Sequence, residues 1–145
     1  MTEIAFHFGA PDKLAYACRL LRKAAGSGAR VQVVGDDATL AQLDSDLWAL
    51  SPTDFVPHCY GAVDESVRKR STIVLSSTGV NQATERDVLV NLGNAVPDGF
   101  DAFNRLIEVV STDGADRDLA RGRWKVYTEL GFTITRHDLA LKHST

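Results

Sequence analysis

Apolar and polar residues along this chain follow two different periods, and each change of period marks a new element. From Glu3 to Phe8, EIAFHF places apolar residues at alternate positions, the period of a strand. Beyond GAPD the spacing lengthens, so that Leu14, Ala17, Cys18 and Leu21 share one face of a helix over Lys13 to Ala25, which the following GSG stops. RVQVV, Arg30 to Val34, reads as a second, largely buried strand. GDD then leads into a helix over Ala38 to Leu50 with Leu40, Leu43 and Leu47 at helical spacing. FVPHC, TIVLSS, DVLVNL and RLIEVVS have the content of short strands, with the polar stretches DESVRKRS and TGVNQATER as connections. A helix over Asp116 to Leu130, capped by Gly131, and a last strand FTITRH complete the pattern. The β-α-β-α opening implies parallel strands joined by right-handed crossovers. The expected architecture is α/β: one open three-layer sheet, mostly parallel, with residues 1–145 as a single domain.

Composition narrows what such a domain does. With 145 residues, 44% hydrophobic and 24% charged, the chain is long enough to bury its own core, and a second domain is not expected. No basic stretch precedes an apolar run at the start, and nowhere do about 18 apolar residues follow one another. A cytoplasmic protein without a membrane partner is expected. Cys18 and Cys59 lack CxxC spacing and read as reduced packing residues. A net charge of -3 confines any contact with nucleic acid to a local basic patch.

The order of elements resembles nucleotide-binding folds, yet FHFGAPDK has one glycine where a dinucleotide fold carries G-x-G-x-x-G. GSGAR follows a helix and precedes a strand, the wrong order for holding a phosphate on a helix N-terminus. Neither a G-x-x-x-x-G-K-[ST] loop nor a G-x-S-x-G elbow occurs, and His7, His58, His137 and His143 lack the spacing of a helical metal site. No catalytic residue, cofactor or metal is expected. A small nucleotide-binding α/β enzyme stays open as an alternative on fold analogy alone.

Surfaces then carry the functional question. RGRWKVY, Arg121 to Tyr127, packs three basic residues around a tryptophan in an acidic chain. On a helical wheel Arg117, Arg121, Trp124, Lys125 and Thr128 fall within a sector of about 100°. Leu119, Val126 and Leu130 lie opposite and form the expected core stripe, with Ala120 and Tyr127 at its margin and Trp124 pointing away from it. Arg123 falls on the apolar side, where its stem is expected to be covered while its head reaches a carboxylate or solvent. Arginine forks, a lysine charge and a flat indole suit an acidic peptide with an apolar end and a free C-terminal carboxylate. The same groups suit stacking of bases and gripping of phosphates, so direct single-stranded nucleic-acid binding stays open, as does simple shielding of Trp124 in the core. Trp48 and Phe55, on either side of Pro52, suit either an apolar docking patch or the end of the core.

LDSDLW followed by FVPH, then DVLVNL, FDAFNRLIEVV and LARGRWKVYTELGF, resemble the chi subunit of bacterial DNA polymerase III, from about Val31 to Phe132. The resemblance implies a clamp-loader accessory subunit with a nucleotide-binding-like α/β fold that lacks a nucleotide site. It further implies that Arg121, Trp124 and Lys125 grip the acidic C-terminal tail of single-stranded-DNA-binding protein. An apolar surface at Trp48 and Phe55 is implied to meet the psi subunit or a competing partner, and DNA is contacted mainly indirectly. The family commonly has tyrosine where this chain has Trp124, which keeps a flat wall and loses a hydroxyl. The STDGADRD connection is shorter than in some relatives, so no contact is carried over from it.

Overall fold

The structure, a computed structural model, describes residues 2–49, 58–60, 73–76 and 87–139. Among the described residues each α-helix starts where an aspartate accepts a backbone N–H three residues on: Asp12 from Ala15 at 3.0 Å, Asp36 from Thr39 at 2.7 Å and Asp113 from Asp116 at 3.1 Å. These caps open α1 (Lys13–Gly26), α2 (Asp37–Ala49) and α3 (Gly114–Glu129). The strands are β1 (Glu3–Ala10), β2 (Val31–Val34), β3 (His58–Tyr60), β4 (Ile73–Ser76), β5 (Val88–Asn91), β6 (Arg105–Ser111) and β7 (Ile134–Asp138). Among the described residues they form one open sheet in the order β3-β4-β2-β5-β6-β1-β7, every pairing parallel. The expected open, largely parallel α/β sheet is the one that forms. DESVRKRS and TGVNQATER lie outside the described residues.

Strand alternation sends side chains into two cores, one on each face of the sheet. α1 and α2 cover Val31, Val33, Ile73, Leu75, Val90, Ile107 and Val109 with Ala17, Cys18, Leu21, Leu40, Leu43 and Leu47. Burial pushes the Cys18 thiol up to about 11, so it is a packing group rather than a nucleophile at neutral pH. On the opposite face α3 and the 3-10 turn Phe100–Ala102 cover Ile4, Phe6, Phe8, Leu89, Leu106 and Val110. A bulge interrupts the β1–β6 ladder between His7 and Ala10, where Gly9 has φ 81°. The extra residue turns Ala10 toward α1 and leaves Phe8 as the last β1 side chain on the α3 face.

Candidate functional site

α3 begins at the Asp113 cap and ends in paired reverse hydrogen bonds, Gly131 N–H to Thr128 O at 3.0 Å and Phe132 N–H to Tyr127 O at 3.1 Å. Gly131 takes φ 89°, the left-handed conformation that this ending requires. The buried arc between these ends is Ala120, Arg123 and Tyr127, not the expected stripe: Leu119, Val126 and Leu130 are 46%, 39% and 58% exposed. The reason lies in β6, which presents Glu108 beneath the helix with its side chain 0% exposed. Arg123 Nε donates to both Glu108 oxygens at 3.2 Å, the Tyr127 hydroxyl donates at 2.6 Å and the Asn91 amide at 3.1 Å. Arg123 also donates through Nη1 to the Asn94 carbonyl at 3.0 Å. Its head therefore reaches a carboxylate, as the wheel anticipated. Burial pushes the Glu108 carboxyl up, while Arg123, Tyr127 and Asn91 pull it back. Burial and the neighbouring Glu108 push the Tyr127 hydroxyl upward too, which keeps it a donor. A buried carboxylate needs its cation, and that requirement outweighs the apolar content of Leu119, Val126 and Leu130 in setting the rotation of α3.

The same rotation brings Trp124 to the edge of the buried arc instead of away from the core. Its indole is half-buried, 5.0 Å from the Phe6 ring and 6.1 Å from the Phe8 ring. On the solvent side of these rings lies an open groove of about 340 Å³, lined by Phe8, Arg117, Arg121, Trp124 and Arg136. Among the described residues three arginines and no carboxylate line it. Arg121 lies 3.4 Å from Asp118, an exposed pair worth less than about 1 kcal/mol and open to replacement by a better anion. Arg136 comes from β7, where in-register pairing with Phe6 puts it on the α3 face. Its guanidinium carbon stands 4.8 Å above the centre of the Phe8 ring. Forked donors around aromatic walls can hold an anion bonded to an apolar group.

A second place invites scrutiny in a sheet of this kind. β1 and β6 are neighbours whose following helices leave to opposite faces, which makes their C-terminal ends the topological switch point. Here the crevice is crossed by an ion pair, Lys13 Nζ to Asp116 at 3.3 Å. Asp116 also accepts from the Ser111 amide at 2.8 Å and the Ser111 hydroxyl at 3.0 Å. Burial opposes ionisation of Asp116, but Ser111 and Lys13 outweigh it and hold the carboxyl below its ordinary value. Carboxylates of the chain itself thus occupy the helix starts where a phosphate binds in nucleotide folds.

A family model described as DNA polymerase III chi subunit, HolC, matches residues 1–135. The chain belongs to the chi-subunit family. The DNA polymerase III subunit chi of Pseudomonas aeruginosa is 31% identical over 128 residues, 88% of this chain and 87% of its own length. That of Haemophilus influenzae is 29% identical over 124 residues, 85% of each. Among solved structures, the C-terminal domain of the DEAD-box protein Dbp5 matches with a TM-score of 0.60 at 13% identity, covering 96% of this chain and 92% of that one. That likeness is one of fold alone.

Against the residues singled out from the chi resemblance, Arg121 and Trp124 line the groove together. Lys125 is exposed on the next turn of α3 and is not among the lining residues. Trp48 lies in the last turn of α2 and Phe55 lies outside the described residues. Reading the sequence missed Phe8 and Arg136. Both sit in alternating strand segments, and only the β1–β7 pairing, which periodicity does not reveal, carries them to α3. The same pairing sets His7 beside His137, with ring centroids 4.7 Å apart, and His7 Nδ1 meets the Tyr16 hydroxyl. Among the described residues no group of three His, Cys, Asp or Glu side chains is placed to hold a metal, and no helix is long and apolar enough to cross a membrane.

Proposed function

We propose that this chain is a non-catalytic adaptor of the DNA polymerase III assembly, which grips the acidic C-terminal tail of single-stranded-DNA-binding protein. The observation that carries the reading is one groove in which three guanidinia surround the Phe8 and Trp124 rings, with no competing carboxylate among the described residues of its lining. Membership of the chi family supports the polymerase side of the proposal. DNA is then reached mainly through the protein that coats it, and several tails on one coated strand raise avidity. Trp48 and Phe55 are proposed to meet the psi subunit, or a partner competing with it, at the far end of α2.

The test is a titration of an acidic tail peptide followed by tryptophan fluorescence, with the Arg121→Glu, Lys125→Glu variant in parallel. Saturable binding that weakens with salt, and that the variant weakens by roughly tenfold or more, is the expected result. Absence of binding to the folded protein at low salt contradicts the reading. Tight binding of a bare oligonucleotide with a steep salt slope, and none of the peptide, moves the groove to direct nucleic-acid binding. For the second surface, a Phe55→Asp variant is expected to lose psi in a pull-down while keeping the tail peptide; retention of psi removes that assignment.

A further inference from the structure

Among the described residues the large apolar side chains left exposed are Leu119, Val126 and Leu130, and all three stand on α3. Leu119 and Val126 bracket Gly122. With Ala115 they form a row spaced by four, three and four residues, the seam of a two-helix contact. All four positions are exposed. Nothing in its own fold calls for a glycine at 122: its backbone is not in the left-handed region, and a Cβ there would meet no atom within 4 Å. Glycine inside a helix is less favourable than alanine. A glycine so placed, between two exposed apolar side chains, suits the close passage of another helix.

We propose that this seam binds the same seam of a second copy of the chain, with the two α3 helices antiparallel. In the register that packs Leu119 over Gly122 of the second copy, Val126 packs over its Ala115, so each large side chain meets a small one. Two-fold symmetry repeats both contacts. Asp118 and Lys125 each precede a large residue of the seam by one position and so stand on the same border of it. Antiparallel helices bring like borders together, which sets Asp118 against Lys125 of the second copy, again twice. Both are exposed, and the present contact of Asp118, 3.4 Å to Arg121, is a weak surface pair. Parallel helices would instead turn this border toward Arg123, whose charge is held by Glu108. They would also set glycine on glycine beside leucine on leucine, which leaves a gap.

The pairing does not depend on what the groove holds. Around the helix axis the seam lies about 160° from the sector of Arg117, Arg121 and Trp124, so a pair of copies carries two open grooves facing apart. One helix seam is smaller than the roughly 800 Å² per partner of a standard interface, so pairing is expected on the order of 100 µM protein. On the tail-binding reading above, copies gathered on one coated strand are held at a raised local concentration.

Sedimentation velocity of the full chain at low salt, from about 5 to 500 µM and without peptide, tests the pairing. The wild type is expected to sediment as a monomer when dilute and to shift toward the mass of two copies when concentrated. Gly122→Leu has room for its side chain in the monomer. It is expected to weaken association by roughly tenfold or more, and to melt no lower than the wild type in dilute solution. Asp118→Lys and Lys125→Asp are each expected to weaken association a few-fold, and the two together to restore it. A wild type that stays monomeric throughout overturns the proposal. Association that Gly122→Leu leaves intact also overturns it, because the contact then lies elsewhere. Charge reversals that have no effect, or that the double variant does not relieve, overturn the antiparallel pairing.

Discussion

Arg121 and Arg123 stand two positions apart on α3 and live in opposite environments. The Arg123 side chain is 3% exposed, fixed by two hydrogen bonds to the Glu108 carboxylate; that of Arg121 is 68% exposed, with one weak contact to Asp118. Half a turn of helix separates a charge that holds the fold from a charge free to hold a partner. The composition of RGRWKVY does not distinguish them, because both are arginines flanking the same tryptophan. What distinguishes them is the sheet beneath, where β6 places a glutamate under one and solvent is left to the other. The predictions that test this contrast run from the buried side outward.

Arg123→Met carries the largest expected effect, a loss of about 3–5 kcal/mol in urea unfolding, since it leaves a buried carboxylate without its cation. The sign of its pH dependence follows from Glu108. Burial already raises that carboxyl from 4.5, and removal of the guanidinium raises it further. A raised carboxyl favours folding most below its unfolded value and loses that contribution as the pH climbs, so the deficit is larger at about pH 8 than at about pH 5. Adding Glu108→Gln restores part of the stability, because a neutral amide needs no counter-charge. A deficit that is independent of pH and unrelieved by the second change places the cause in packing alone.

On the exposed side, Arg121→Glu with Lys125→Glu is expected to weaken the tail peptide by roughly 10- to 100-fold in a fluorescence titration, with stability changed by less than about 1 kcal/mol. Trp124→Ala sharpens the contrast because the indole belongs to both regions. Its contacts to Phe6 and Phe8 predict a loss of about 1–3 kcal/mol in unfolding together with weaker peptide binding. Loss of one property without the other assigns the ring to a single side. A smaller effect is expected at the switch point, where Asp116→Asn costs about 1 kcal/mol at neutral pH. The Asp116 carboxyl is held below 3.8, so the wild type's advantage is complete above that value and shrinks as the pH falls through the lowered one. Thermal melts of the two proteins from about pH 7 down to pH 3 check this. The smallest expected effect is none: millimolar ATP or NAD leaves the melting temperature unchanged, and a saturable rise reinstates the nucleotide alternative.

Much of the fold was legible because its signals are local. EIAFHF, RVQVV and RLIEVVS announce strands through apolar and β-branched runs, while GSG and Gly131 end their helices for reasons internal to each segment. The site was legible only in part. Arg121 and Trp124 advertise themselves by lying in one short helical patch. Phe8 and Arg136 do not, since their meeting depends on β7 pairing with β1 across more than a hundred residues of chain. The helical wheel failed at Leu119, Val126 and Leu130 for a related reason. Hydrophobicity ranks the faces of an isolated helix, whereas this helix is oriented by a carboxylate on a different element.

Titrating the acidic peptide into the nitrogen-15-labelled protein and following backbone amide shifts locates the peptide on the fold. A tail site in the α3 groove predicts saturable shifts clustered at Phe8, Arg117 to Lys125 and Arg136, with the α1 and α2 face unmoved. Shifts centred on α1 and α2, or a spectrum that the peptide leaves unchanged, contradict it.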